Sequence, residues 1–185
     1  MSVRYRNPVI PGFFPDPSVC RVGEDFYLAA SSFEYFPGVP LFHSRDLVNW
    51  TPVGHALTRK SQLNLDGVAC SDGIFAPTLR WHGGRFYLVT TNVWGGGGNF
   101  YVWAEDIRGP WSEPVWLDRD RFDPSLFFDD DGRCYYTRRN GHAIVQSELD
   151  VRAGRLIGEM REIARPWVSL DGEGPHLYKV AGRYY

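Results

Sequence analysis

One short phrase occurs four times along the chain, and this repeat limits the folds that the sequence can adopt. Each copy places a proline two residues before an apolar residue. The copies are residues 16–19, 76–79, 123–126 and 174–177, and their prolines are 60, 47 and 51 residues apart. A recurring period of this length is typical of proteins that repeat one supersecondary unit.

A second phrase follows each copy at a constant distance. A polar turn leads into aromatic residues, and a tyrosine stands 10 or 11 residues after the proline; the tyrosines are Tyr27, Tyr87, Tyr135 and Tyr185. A short strand, a tight turn and a second strand together predict a β-hairpin. Residues 40–44 and 100–104 predict further strands, whereas residues 153–165 leave strand and irregular structure open.

The repeat predicts an all-β fold. A period near 50 residues with about four strands per unit favours a β-propeller. The 20 Gly, 13 Pro and 16% aromatic residues suit many turns and short strands. Three units are complete and the fourth has only its first hairpin. We therefore expect residues 1–185 to form part of one propeller domain of a longer protein, with a complete four-bladed disc as the alternative.

Composition excludes several classes of function. The formal net charge of -2 argues against nucleic acid as a partner. No apolar run approaches the roughly 20 residues that span a bilayer, so no membrane partner is expected. The first residues lack the apolar stretch of a secretion signal, which predicts a cytoplasmic protein. Homo-oligomerisation stays open.

No cofactor and no metal are expected from the sequence. Cys20, Cys70 and Cys134 show neither the pairing of a disulfide framework nor the spacing of a zinc site. We interpret them as buried or incidental thiols. The four consecutive glycines at 95–98 lack the Lys-Ser/Thr of a phosphate-binding loop.

Three of the four copies carry an acid at the start of the hairpin. Asp16 and Asp123 directly precede their prolines, Glu173 stands two residues before Pro175, and the second copy has Ala76 instead. The first strand of each propeller blade lines the central axis. Equivalent positions therefore converge near one mouth of the axis, and we expect the three carboxyl groups to share a pocket.

Carboxyl groups in one pocket are suited to acid–base chemistry. Like charges raise at least one pKa, so that one acid stays protonated while another is ionised, as in glycoside hydrolysis. A carboxylate-capped turn explains one Asp-Pro but not three acids in register with a repeat. Aromatic rings close to the acids suit a sugar ring; the candidates are Phe13, Phe14, Phe33, Phe75 and Trp94. His176 either lines the pocket or packs on its own strand.

Four segments of the sequence resemble family 43 glycoside hydrolases, the β-xylosidase and α-L-arabinofuranosidase group. They are NPVIPGFFPDPS at 7–18, SSFEYFPGV at 31–39, FDPSLF at 122–127 and EGPHLYK at 173–179. The resemblance covers essentially the whole chain. One departure is Phe75, where the family more often has Trp.

The resemblance implies a five-bladed β-propeller and an inverting mechanism. By the same match, Asp16 is the general base that activates water and Glu173 is the general acid. Asp123 then raises the pKa of that acid and keeps it oriented. Phe33 forms part of the wall for the terminal sugar.

The sequence therefore predicts an exo-acting inverting glycosidase. Its expected substrate is a xylo-oligosaccharide from which it releases terminal β-1,4-xylose, with a terminal α-L-arabinofuranoside as a further candidate. The alternatives are an endo-arabinanase of the same fold, a non-catalytic carbohydrate-binding propeller and a protein-interaction propeller.

Overall fold

The computed structural model describes residues 4–165 and 172–185, and all regular structure in these residues is β. The first sheet contains β1 (Ser18–Val22), β2 (Asp25–Ala29), β3 (Gly38–Ser44) and β4 (Thr51–Leu57). The second sheet contains β5 (Thr78–His82), β6 (Arg85–Asn92), β7 (Gly98–Ala104) and β8 (Val115–Asp118). The third sheet contains β9 (Ser125–Phe128), β10 (Cys134–Asn140), β11 (Ala143–Asp150) and β12 (Arg155–Ala164). The fourth hairpin contains β13 (Lys179–Val180) and β14 (Arg183–Tyr184).

Each four-stranded sheet is an antiparallel meander in chain order. The strand after each proline pairs with the aromatic strand that follows it, as in the register Ser18 to Ala29 and Thr78 to Val89. Each of these first hairpins turns at a position that needs a positive φ, which Gly23 adopts at 61° without steric cost. The hairpins and the all-β class predicted from the repeat are confirmed.

Residues 153–165, which the sequence left open, contain the end of a turn and the whole of β12. Among the described strands, β12 pairs only with β11, and two register shifts interrupt the pairing. Most of its side chains are exposed. Because no core requires apolar residues at alternate positions, the sequence of this outer strand carries no clear period.

The second sheet is buried on both faces. On β6, Phe86 and Leu88 belong to the apolar cluster shared with the first sheet, while Tyr87 and Val89 belong to the cluster shared with the third. Successive side chains of a strand point to opposite faces, so the unbroken apolar run of β6 supplies both clusters. The sheets consequently stack face to face, and β5 lies against both β1 and β9.

Cys20 and Cys134 are buried, Cys70 is exposed, and all three are free thiols. Burial raises the pKa of Cys20 to about 11 and that of Cys134 to about 12, which makes both thiols poor nucleophiles. In the part of the chain that the structure describes, no helix is long and apolar enough to cross a membrane.

The fourth hairpin is attached to the third sheet through Asp129. The Lys179 Nζ lies 2.7 Å from Asp129 Oδ1, and the Tyr184 hydroxyl donates a hydrogen bond of 2.6 Å to Asp129 Oδ2. These two donors lower the pKa of Asp129 from 3.8 to about 2. The ionised carboxylate therefore favours the attached state of the hairpin.

This attachment should depend on pH. Because the pKa of Asp129 is depressed in the folded state, its contribution is present above 3.8 and is lost as the pH falls towards 2. Protection of the Tyr185 amide, which bonds Tyr178 O, should decrease over that interval in hydrogen-exchange measurements. Asp129→Asn should be weakly protected at every pH, and Asp131→Asn should behave like the parent. A pH-independent protection in the parent would contradict this anchoring.

A buried polar network joins the second and third sheets. The Arg138 side chain is 4% exposed, and its Nε donates to Asp118 Oδ2 at 2.9 Å. Asn99 Nδ2 donates to the other oxygen of Asp118 at 2.6 Å, and Thr91 Oγ1 donates to Asn99 Oδ1. The Asp118 carboxylate is thus held by one partner from each sheet, and its Oδ1 also accepts a hydrogen bond of 3.1 Å from the Asp120 amide.

Removing the cation of this network should be costly. Arg138→Met would leave the partly buried Asp118 carboxylate, which is 16% exposed, without its ionic partner. We expect a loss of about 3 kcal/mol in the free energy of unfolding. Denaturant unfolding monitored by tryptophan fluorescence measures it. The matched control is Arg161→Met on the exposed strand β12, which should change stability by less than about 0.5 kcal/mol. Equal effects of the two variants would overturn this role of Arg138.

Candidate active site

Asp16 and Asp123 occupy the same place in two repeat units. Asp16 lies two residues before β1 and Asp123 two residues before β9, and both have a left-handed backbone with φ of 54° and 59°. This conformation is uncommon outside glycine, although Asp tolerates it better than most residues. The following proline also disfavours the right-handed helical region for both. At the two acids the repeat is therefore present in the backbone conformation as well as in the sequence.

Asp123 is the buried member of the three acids, with 8% of its surface exposed. Its Oδ2 accepts a hydrogen bond of 2.9 Å from the amide of Gly174, the residue that follows Glu173. Burial raises the pKa of Asp123, and the negative charges of Glu173 and Asp16 raise it further; the Gly174 amide and Arg139 oppose these effects. The structure thus places Glu173 and Asp16 within electrostatic range of Asp123.

Asp16 lies in the opposite environment, because its side chain is exposed to solvent. Ser31 Oγ donates a hydrogen bond of 2.6 Å to Asp16 Oδ2, and the Ser31 amide bonds Pro15 O at 2.9 Å. The segment after β2 therefore fixes one carboxylate oxygen of Asp16 and leaves the other free to contact water.

Glu173 is paired with a cation from the third sheet. Arg139 Nη1 lies 2.5 Å from Glu173 Oε1, and the Glu173 side chain is 49% exposed. The Arg139 guanidinium lies over the Phe122 ring, 4.9 Å from its centroid, and the Arg139 amide bonds Phe122 O. Arg139 consequently connects the acid of the fourth unit to the residue preceding Asp123.

Two residues at the site, Arg139 and Ser31, were not predicted from the sequence. A signal for Arg139 existed in the hairpin of the third unit. Thr137 pairs with Ser125 in the antiparallel register, so a residue two positions after Thr137 comes opposite Asp123. Ser31 carried no such signal, because its contact with Asp16 depends on the path of the irregular segment after β2.

A row of four aromatic rings links segments from all three repeat units that form four-stranded sheets. The ring centroids of Phe13 and Phe33 are 5.9 Å apart, those of Phe33 and Phe75 are 5.5 Å apart, and those of Phe75 and Phe122 are 5.6 Å apart. The row ends next to Asp123, where Arg139 covers Phe122. It provides the apolar surface expected of a sugar site.

The position of Phe33 in this row depends on Gly73. Phe33 and Ile74 exchange two backbone hydrogen bonds, of 2.9 and 3.1 Å. Gly73 has a φ of 93°, and a Cβ there would lie 2.2 Å from Phe33 O. Only glycine therefore permits the close approach of the two segments that carry Phe33 and Phe75.

Two of the sequence-predicted aromatics lie elsewhere. Phe14 packs edge-on against Phe42, with a centroid separation of 4.9 Å, in the apolar cluster of the first sheet. Trp94 donates a hydrogen bond from Nε1 to Asp66 O at 3.2 Å, and its ring lies beside Gly67. The contacts of Trp94 are thus with the segment after β4 rather than with the acids.

His176 packs on the first strand of the second sheet. Its Nε2 lies 3.3 Å from Thr78 Oγ1, and its Nδ1 lies 3.4 Å from Arg80 Nη2. Burial, with a smaller effect of the Arg80 charge, lowers the pKa of His176 to about 4. The imidazole is therefore neutral at physiological pH. Its contacts join it to β5 of the second unit as well as to Tyr178 of its own segment.

The arrangement as a whole suits acid–base chemistry on a neutral ligand. It combines a solvent-exposed carboxylate, a buried one with a raised pKa and a third paired with a guanidinium. Among residues 4–165 and 172–185, no group of three His, Cys, Asp or Glu side chains is arranged to hold a metal ion. A cavity of about 790 Å³ near His82 and Arg133 contains none of the three acids.

Comparisons with known proteins agree with this chemistry. Residues 5–185 match the sequence profile of the family described as glycosyl hydrolases family 43. The chain is similar to the xylosidase/arabinosidase of Butyrivibrio fibrisolvens, with 51% identity over 97% of this chain and 37% of that protein. It is also similar to the non-reducing end α-L-arabinofuranosidase BoGH43B of Bacteroides ovatus, with 45% identity over 98% of this chain and 35% of that protein.

The same likeness holds for solved structures. The xylan β-1,4-xylosidase from Bacillus halodurans superposes with a TM-score of 0.92 and 45% identity, over 98% of this chain and 38% of that one. The chain thus spans little more than a third of the length of these relatives.

The environment of Asp123 should lower the stability of the protein at neutral pH. Because the folded-state pKa of Asp123 is raised above 3.8, its ionisation opposes folding as the pH rises through the folded pKa. Asp123→Asn removes that charge and keeps an oxygen for the Gly174 amide. We expect a higher Tm than that of the parent at pH 7 and convergence of the two below pH 3.8 in differential scanning calorimetry. A Tm difference of the opposite sign at pH 7 would refute this account of Asp123.

Proposed function

Because the chain belongs to family 43 of the glycosyl hydrolases, we propose that it carries the catalytic acids of an inverting exo-glycosidase. The proposed substrate is a xylo-oligosaccharide with a terminal β-1,4-linked xylose, and a terminal α-L-arabinofuranoside is the second candidate. The observation that carries the proposal is the position of Asp123, which bonds the amide next to Glu173 and is influenced by the charges of Glu173 and Asp16.

The proposed fold is a five-bladed β-propeller. The three four-stranded sheets and the fourth hairpin correspond to its blades, and the adjacent strands β1, β5 and β9 to its inner ring. Asp16 and Asp123 precede β1 and β9, and Glu173 precedes the fourth hairpin. Release from a chain end is proposed because one relative is named a non-reducing end α-L-arabinofuranosidase.

In the proposed mechanism Asp16 is the general base. Its exposed carboxylate, fixed by Ser31, accepts a proton from the water that attacks the anomeric carbon. Glu173 is the general acid that protonates the leaving oxygen on the opposite face of the sugar. The bond to the leaving sugar breaks as the bond to water forms, so the anomeric configuration inverts.

Asp123 and Arg139 control the general acid in this mechanism. The Asp123 carboxyl group accepts a hydrogen bond from the Gly174 amide and so orients the segment that carries Glu173. Arg139 holds Glu173 Oε1 in an ion pair. We infer that the pair opens when the sugar binds, because the acid must be protonated to act.

The row of rings from Phe13 to Phe122 would bind the sugar through its C–H faces. Phe33 and Phe75 lie in the middle of the row and are the proposed wall residues. Trp94 was a candidate for the same role, and lining the pocket was one of two interpretations of His176. Their contacts to Asp66 and Thr78 give both residues weaker support.

Removal of the general acid should abolish hydrolysis of poor leaving groups. We expect Glu173→Gln to lower kcat on an alkyl or sugar β-xyloside by about 10²–10⁴-fold, with a smaller loss on an activated aryl β-D-xyloside. The matched control, Glu159→Gln on β12, should retain the parent rate. The first product should be α-xylose by proton NMR. A Glu173→Gln variant as active as the parent would rule out the assignment of the acid.

The carbohydrate-binding alternative predicts a different result for the same two proteins. Calorimetric titration of the parent and of Glu173→Gln with xylobiose would then show binding by both, and the rate measurement would show turnover by neither.

A further inference from the structure

We propose that strand β5, which belongs to the one repeat unit without an acid, is the support that positions all three catalytic acids. Thr78 and Arg80 are the positioning residues on this strand. The inference rests on the proposed function, since it concerns the same three acids. It assigns a role to the second unit, whose Ala76 stands where the other units have acids.

The contact with the Asp16 segment is made by the backbone of β5. The Leu79 amide donates a hydrogen bond of 3.0 Å to Ser18 Oγ, two residues after Asp16. Ser18 is 2% exposed, and its hydroxyl therefore has little access to water. This bond fixes the position of β1 along the strand direction relative to β5, and with it the position of Asp16.

The contact with the Asp123 segment is made by two side chains of β5. Thr78 Oγ1 donates to Pro124 O at 3.1 Å, one residue after Asp123, and Arg80 Nε donates to Leu126 O at 2.9 Å. Thr78 and Arg80 are two residues apart on β5. Their two bonds therefore fix both the position of β9 along the strand direction and its orientation relative to β5. The equivalent hydroxyl of the third unit, Ser125 Oγ, is buried and has no hydrogen-bond partner among the described residues.

The contact with the Glu173 segment is made by His176, three residues after Glu173. The Thr78 hydroxyl gives its single proton to Pro124 O, so it must accept from His176 Nε2 at 3.3 Å. His176 Nδ1 is then the unprotonated nitrogen and accepts from Arg80 Nη2 at 3.4 Å. The Arg80 guanidinium also lies 5.4 Å from the centroid of the Tyr178 ring.

These bonds form one directed chain from Arg80 through His176 and Thr78 to Pro124 O. It crosses from the fourth unit to the third by way of the second. Its two members outside β5, His176 and Pro124, lie within three residues of Glu173 and Asp123. The field between the acids depends on their spacing. A small displacement of any one of the three segments therefore changes the electrostatic interactions among all three acids.

Titration of Asp123 tests this role directly. The parent, Thr78→Val and Arg80→Lys would be labelled with ¹³C at aspartate carboxyl groups and titrated by NMR, with Asp123→Asn identifying the signal. We expect the raised midpoint of Asp123 to fall towards the ordinary range in both variants, because Glu173 and Asp16 move away and solvent enters. Thr78→Ser keeps the hydroxyl and should restore the parent midpoint. Lysine keeps the charge of Arg80 but cannot reach two acceptors.

The matched control is Thr137→Val. Thr137 is 2% exposed, and its hydroxyl accepts from Gln146 within the third sheet only. This variant should lose stability like Thr78→Val and leave the Asp123 midpoint unchanged. With an aryl β-D-xyloside, Thr78→Val should lower kcat by about ten- to a hundredfold and shift the alkaline limb of the pH profile, whereas Thr137→Val should do neither.

The outcomes separate this inference from the proposed function. If Glu173→Gln lowers the Asp123 midpoint but Thr78→Val and Arg80→Lys do not, the acids form one site and β5 does not position them. If Thr137→Val shifts the midpoint as much as Thr78→Val, the role of Thr78 is only structural, and the inference is wrong. If Glu173→Gln leaves the midpoint unchanged, the acids do not act together and the proposed function itself fails.

Discussion

Burial of both faces of the second sheet is the constraint on which the rest of the structure depends. A sheet whose side chains are apolar on both faces requires a partner on each side. The first sheet covers one face through Phe86 and Leu88, and the third covers the other through Tyr87 and Val89. This stacking places β5 between β1 and β9, and only then can segments far apart in sequence meet at one end of the axis.

The stacking also decides the electrostatics of the acids. Asp16 and Asp123 have the same backbone conformation at equivalent positions, yet one is exposed and the other is buried. The difference comes from their neighbours, since Asp123 lies under the segment of Glu173 and Gly174. Equivalent residues of a repeat thus acquire different chemistry from unequal surroundings. The burial that suits Asp123 to its proposed role opposes folding at neutral pH, as is common at functional sites.

The features predicted correctly from the sequence are those that neighbouring residues determine within one repeat unit. The hairpins after each proline, the all-β class and the separate units follow from turn residues and strand periods that neighbouring residues determine. Prediction from the sequence was weakest for the outer strand of a sheet and for irregular segments. Strand β12 has mostly exposed side chains, so no apolar alternation marks it. The contact of Ser31 with Asp16 depends on a loop path that no local pattern records.

The sequence by itself determined the number of hairpins, the spacing of the acids and their equivalence, because these are properties of a period along one chain. It also predicted that aromatic rings would lie close to the acids, without separating Phe33 and Phe75 from the other candidates. Only the tertiary structure decided that Arg139 pairs with Glu173, that Phe14 belongs to the core, and that Trp94 turns towards Asp66. These outcomes depend on which sheets become neighbours and how deeply each side chain is then buried. Charge pairing and desolvation act through space, over distances that the order of residues does not specify.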